Sequence, residues 1–484
     1  MRSALPQAGE RCAATSVRES DNTARNYENL PAAREDRVGH LERIACADMR
    51  ARSTISLGRR SMNASQFTHA AKAVAVALSF ALVGGSAQAQ QTSVEVLHWW
   101  TSGGEARSAA ELKKMMQSKG FGWKDFAVAG GGGDAAMTAL KARVVSGNPP
   151  TAAQIKGPSI QEWGREGVLA SIDAAAKDGK WDELLPPVVA NVMKFKGQYV
   201  AAPVNVHRVN WLWVNPEVLK KAGVAAAPKT WDEFFDAAEK IKKAGLIAVA
   251  HGGQPWQDAT TFESVVLGVG GAEFYRKALV QLDEASIKSP TMVKAFDTLG
   301  RIKTYIDKDA PGRDWNLATA MVINGKAGMQ FMGDWAKGEF TAANKAPGKD
   351  YLCIDAPGTA GTFTFNIDSF VMFKQKDANA QKAQLALASS IMSPEFQEVF
   401  NLNKGSIPAR AGVSRAKFDS CATKSMDDMA ASNKGGGLVP SFAHGMAIPS
   451  ATAGAIQDVI AKFMNSSMTS QQAVDALVKA SKVK

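Results

Sequence analysis

Val94-Glu-Val-Leu-His98, Phe126-Ala-Val-Ala129 and Ala152-Ala-Gln-Ile-Lys156 are three short apolar or alternating runs, and what lies between them decides the fold. The first alternates as a half-buried strand does. Between it and the second, Ala109, Leu112, Met115 and Met116 recur at helical intervals, which predicts a helix over 105–119. Gly130 to Gly133 follow the second run as a tight turn. Asp134 then stands where it could cap a helix over 135–146, which Asn148-Pro-Pro150 stops. Strand–helix–strand alternation in this order predicts an α/β fold with parallel strands joined by right-handed crossovers.

Outward from this segment the pattern changes. Residues 199–206 and 210–214 are two adjacent strand-like runs, and Thr230 is placed to cap a helix that begins at Trp231. Residues 245–250 read as a strand and 262–308 as long helices. A helix end, a turn at 324–328 and a buried strand fill 321–332. Residues 363–373 are again strand-like, followed by helix to Met392. No repeat or low-complexity linker divides the chain, so two α/β lobes sharing several chain crossings fit better than two separate beads.

Toward the N-terminus, residues 62–89 hold a polar stretch with Lys72, an apolar run over 73–83 and small residues at Ala87 and Ala89. That is the layout of an export signal, cleaved after Ala89, and the run is too short to span a bilayer, which takes about 20 residues. Residues 1–61 are expected to be a non-native or disordered upstream extension, with Met62 as the start of the signal. The chain carries a formal charge of +11; the first 89 residues hold 11 Arg and one Lys against 8 acids, leaving about +7 beyond them. The remaining lysines are scattered among acids rather than clustered, which argues for a solvated surface and against a nucleic-acid partner. Of four cysteines, Cys353 and Cys421 lie beyond the signal, in no metal-ligand spacing. In an oxidising compartment they are expected to pair. No metal and no cofactor is expected.

A neutral sugar offers ring C–H faces that lie flat on aromatic side chains and a fringe of hydroxyls that must be hydrogen-bonded when buried. Trp99-Trp100 directly follows the first strand, where ligands gather in α/β sheets. Two adjacent tryptophans cannot both point into one core. Gln154 and Lys156 share one strand face by the two-residue period. The segments Trp99-Trp-Thr-Ser-Gly-Gly-Glu105, Gly333-Asp-Trp335, Phe365-Asn-Ile-Asp-Ser369 and Asn403-Lys-Gly-Ser-Ile-Pro408 resemble the solute-binding proteins of bacterial ABC sugar importers. Within that family, which includes maltose-binding proteins, they are most similar to the glucose-binding branch, over residues 93–480.

The resemblance implies a type II-like periplasmic-binding fold with the ligand in a cleft between hinged lobes, drawn as 90–204 with 357–400 and 205–356 with 401–484. It implies a periplasmic location and a monosaccharide ligand, glucose first and galactose or mannose next. The partners it implies are an inner-membrane permease with its ATPase and, in a sensory role, a chemoreceptor, with the chain itself a monomer. Residue by residue it assigns Trp99, Trp100, Trp335 and Trp315 to stacking, and Glu105, Gln154, Lys156, Asp368, Lys404 and His444 to the polar ring. Asn205, His207, Trp256 and Asn366 are secondary candidates, and Gly333 and Gly405 are expected to let the backbone approach the ligand.

Other signals carry less. Gly130 to Ala135 satisfies a loose Gly-x-Gly-x-x-Ala pattern, but a dinucleotide site would place an acid about 20 residues later, where Gln154 and Lys156 stand. The rival class is a secreted glycoside hydrolase with Glu105 and Asp368 as its carboxyl pair. Lysines beside those acids would keep them ionised and poor as proton donors.

Overall fold

The computed structural model describes residues 92–483; the expected upstream extension and export signal lie outside the described residues. The alternating segment folds as read: β1 (Ser93–His98), α1 (Gly103–Ser118), β2 (Gly122–Ala127), α2 (Asp134–Val145) and β3 (Ala152–Gln154). β2 and β3 both lie parallel to β1, on either side of it. One local expectation fails. Asp134 opens α2 rather than capping it, because Gly133, in a left-handed conformation at φ 117°, turns the chain into the helix and takes the cap position.

Beyond β3 the chain runs through β4 (Ala201–Pro203), β5 (His207–Arg208) and β6 (Trp211–Val214), so the strand-like stretch 199–214 is broken into short pieces that enter three different sheets. Then come β7 (Ile247–Val249), α3 (Pro255–Tyr275), α4 (Trp315–Ile323), β8 (Ala327–Phe331), α5 (Ala336–Ala342) and β9 (Leu352–Asp355). The chain returns through β10 (Phe363–Asn366) and β11 (Ser369–Met372) to α6 (Pro394–Lys404), α7 (Ser420–Lys434) and β12 (Leu438–Pro440). Thr230 caps the helix Trp231–Lys243 as expected, in a reciprocal capping box with Glu233.

Five strands in the order β2-β1-β3-β11-β4 make one sheet, and four in the order β9-β6-β8-β7 make another. Each has its own core. Val94, Val96, Leu112, Phe370 and Phe400 belong to the first. Leu212, Phe234, Phe262, Phe296 and Met329 belong to the second. The first core also takes in Ile407, Ala409, Phe418 and Ala422, past the boundary drawn at residue 400.

A three-stranded sheet, β12-β10-β5, lies where the chain passes between the two larger ones. β5 links β4 to β6, β10 links β9 to β11, and the two pair antiparallel with Asn366 opposite His207. Short crossing strands of this kind are where hinge rotation is absorbed in two-lobed binding folds.

Cys353 on β9 and Cys421 on α7 form a disulfide across 68 residues, with Cα atoms 6.0 Å apart. Loop-closure entropy over a span of that length gives about 4 kcal/mol, at the top of the usual range. Replacing both cysteines by serine should therefore lower the unfolding free energy by about 2–4 kcal/mol in a urea titration. An unchanged midpoint would show that the bridge adds nothing.

Candidate functional site

At the carboxyl end of β1 the chain turns outward with two indoles that part company. Trp100 is 2% exposed and packs edge-on against Phe370, with ring centres 5.4 Å apart, and against Phe400 at 5.1 Å. Trp99 stays half-buried, with the Lys156 ammonium 5.2 Å from its ring centre. The glycine run explains how Trp99 is held: a Cβ on Gly133 would sit 3.1 Å from its ring, and one on Gly132 would sit 3.1 Å from the ring of Trp256. Those glycines admit two indoles from different parts of the chain, which a phosphate loop would have no reason to do.

Trp99, Trp100, Trp256, Trp315 and Trp335 all line a single cavity of about 150 Å³. Trp99 and Trp100 follow β1 of the first sheet, whereas Trp256, Trp315 and Trp335 come from α3, α4 and the turn before α5, on the side of the second. Trp335 is 6% exposed; His444 packs edge-on to it at 4.7 Å and His207 at 5.2 Å. The imidazole of His444 is fixed by Thr260 on α3, 3.0 Å from Nε2. Burial, with Lys156, His207 and Lys404 nearby, holds His444 well below its ordinary value, so it faces the cavity neutral.

The charged fringe is made of pairs. Lys404 at the end of α6 donates to Glu105 Oε1 on α1 at 2.7 Å, and both side chains are nearly buried. Asp368 accepts from His207 Nε2 at 2.9 Å, from Asn205 Nδ2 at 3.3 Å and from Gln154 Nε2 at 3.3 Å. Burial pushes the Asp368 carboxyl up, but His207, Lys156 and Lys404 outweigh it and hold the group well below the usual carboxylate range. Burial pulls the Lys156 ammonium down from its ordinary value, and Asp368 offsets this in part.

Eight of the ten residues assigned to the site join these pairs at the cavity wall or stack there, and Asn366, Trp256 and His207 line it as well. Trp315, at the start of α4, closes it from the side of the second sheet. The ninth, His444, expected in the polar ring, reaches the wall half-buried. Gln154 and Asn205 do not line the cavity. Both are fully buried behind Asp368, which takes the hydrogen bonds they were expected to offer a ligand.

Gly333 and Gly405 also serve a different purpose from the one expected. A Cβ on Gly333 would strike the Trp335 ring at 2.1 Å, and one on Gly405, which ends α6 at φ 91°, would lie 2.3 Å from the Asp334 carbonyl oxygen. These glycines seat the platform and the α6 end against each other, not against a ligand.

Sequence reasoning missed Ser102, Gln254, Asp314 and Asn316 in the lining. Ser102 occupies the cap position of α1 without capping it, and its hydroxyl, like the Asn366 Oδ1, has no hydrogen-bond partner among the described residues. The amide of Gly104 in the first turn is served instead by Glu339 Oε1 at 2.9 Å. Unsatisfied buried oxygens in a cavity wall call for a polar ligand. Indole faces, unpaired hydrogen-bonding groups and fixed charges meet here between the two lobes.

Residues 125–388 match the family model described as bacterial extracellular solute-binding protein. The chain belongs to that family. A relative from Rhizobium meliloti (strain 1021), named "Probable sugar-binding periplasmic protein", is 49% identical over 405 residues, covering 84% of this chain and 97% of its own. One of the same name from Mesorhizobium japonicum is 50% identical over 407 residues, again covering 84% and 97%. A solved chitin oligosaccharide binding protein superposes with a TM-score of 0.70 at 19% identity, over 81% of this chain and 98% of its own, and so shares the two-lobed fold. As an extracellular solute-binding protein the chain is a receptor, not an enzyme. The carboxyl chemistry agrees: Asp368 is held ionised and Glu105 is ion-paired, whereas a glycosidase needs one carboxylic acid ready to give its proton.

Proposed function

We propose that this chain captures one neutral monosaccharide, glucose in the first instance, in the cavity between its lobes and delivers it in the periplasm to an ABC permease. The observation that carries the reading is the cavity of about 150 Å³ with tryptophans from both sides of the molecule. Its indoles and the unsatisfied oxygens of its wall suit the faces and hydroxyls of a sugar ring. The names of the relatives from Rhizobium and Mesorhizobium support the sugar and the periplasm. Sugar contacts to both lobes at once favour the closed state by differential affinity, and the permease then reads the outer rims of the closed form. In this reading the moving bodies are residues 92–204 with 357 to about 418, and the rest, which keeps the bridged Cys353 and Cys421 together, turning about β5 and β10.

The test is a tryptophan fluorescence titration of the purified chain with glucose, galactose, mannose, xylose and maltose. A saturable change with at least one monosaccharide and none with maltose is expected. Saturation by maltose alone would overturn the monosaccharide reading. Release of chromophore from an aryl glycoside would overturn the receptor reading.

A further inference from the structure

His207 lines the cavity but has little left to offer a ligand. It is 1% exposed, on β5, and each ring nitrogen faces a carboxylate: Nε2 lies 2.9 Å from Asp368 Oδ2, and Nδ1 makes a short hydrogen bond with Asp334 Oδ1. Asn205 Nδ2 lies 2.9 Å from Nε2 as well, but has Ser406 Oγ at 3.1 Å and Asp368 Oδ2 at 3.3 Å as acceptors. Asp334 is itself 2% exposed, accepts from the amide of Arg208 at 2.9 Å, and immediately precedes Trp335, whose ring meets His207 edge-on. Asp334 does not line the cavity.

We propose that His207 is a positioning residue for the ligand rather than a ligand to it: set on a crossing strand, it fixes the Asp368 carboxylate in one wall and, through Asp334, the Trp335 platform in the other. This rests on the reading of the cavity as a sugar site. A carboxylate at each nitrogen requires a proton on both, so the ring acts as an imidazolium. Burial pulls His207 down, but Asp334 and Asp368 outweigh it and hold it above its ordinary value of 6.5. The other charged or titratable groups around it are Lys156 after β3, Lys404 at the end of α6 and His444 after β12.

Because the folded value is raised, the contribution of the ring is complete below 6.5 and is lost as pH rises through the folded value. Glucose affinity should hold steady up to that point and weaken on the alkaline side, and this part of the alkaline loss should be missing in His207→Gln.

The decisive experiment has two arms on the full chain. Nitrogen-15 NMR of the His207 ring, without sugar, is expected to show both nitrogens protonated at neutral pH. Glucose titration is expected to show a loss of about tenfold or more in both His207→Gln and Asp334→Asn, as for losing a charge-assisted hydrogen bond. A neutral ring at pH 7 overturns the proposal, and so do both variants binding within twofold of the unaltered chain. If the unaltered chain binds none of glucose, galactose and mannose, the sugar reading fails while the ring measurement still decides the protonation of His207. If His207→Gln does not fold, Asp334→Asn and the ring measurement decide.

Discussion

Asp368→Asn is expected to cost monosaccharide affinity roughly 10- to 150-fold, the 1.5–3 kcal/mol that separates a charge-assisted hydrogen bond from its absence. Asp368 is the anion on which His207, Lys156 and Lys404 converge. With asparagine in its place Lys156 loses the largest opposing charge beside it and His207 loses one of its two carboxylates, while Lys404 keeps Glu105. The fold suffers too, because removing one partner of a buried charge pair leaves the other uncompensated, at about 3–5 kcal/mol. The pH dependence separates this from ordinary loss of packing. The carboxyl is held below its ordinary value of 3.8, so its contribution is complete above that value and is lost as pH falls through the depressed folded value. The stability deficit of Asp368→Asn should therefore shrink in acid, and, because Asp368 also holds His207 up, it should change again on the alkaline side as His207 loses its proton. Urea titrations at several pH values, beside calorimetric titration with glucose, read both effects. A deficit that did not shrink in acid would contradict the assignment of the charge to Asp368.

Trp335→Ala is expected to weaken binding by about 2 kcal/mol or more, near 30-fold, since a buried aromatic anchor at the centre of a site is where truncation costs most. The ring lies on Gly333, between His207 and His444, and lines the cavity. Some stability is lost with it, so affinity is compared only where circular dichroism shows a folded chain. Trp100→Ala is the poorer test. Trp100 is packed between Phe370 and Phe400, and its removal leaves a core cavity whose cost, about 3–5 kcal/mol, obscures any loss of a sugar contact. Affinity unchanged in Trp335→Ala would remove the platform from the account.

The α/β alternation was legible because the apolar positions keep a period of two or of 3.6 between clear stops. The pairing of Cys353 with Cys421 was legible because only two of the four cysteines lie beyond residue 91. Where reading failed, distant contacts had overridden local chemistry. Asp134 has the side chain of a helix cap, yet Gly133 takes the position because its left-handed turn brings the glycine run against Trp99. Ser102 has the position of a cap and leaves its hydroxyl unpaired, since Glu339, over two hundred residues away, serves the first turn of α1.

The site shows the same division. Lys404 and Glu105 could be named from resemblance, but their 2.7 Å pairing depends on α6 packing along α1, which no local pattern reveals. Gln154 and Asn205 were sound choices as hydrogen-bonding side chains. The fold spends them on Asp368 instead, because a buried carboxylate in a cavity wall needs support from behind.

Indoles from both lobes are proposed to hold one sugar ring among fixed charges. Isothermal calorimetry of the purified chain with glucose tests it most directly. Saturable binding of one sugar per chain, absent for maltose, is the predicted result. Heat of binding from maltose, with none from glucose, galactose or mannose, would contradict it.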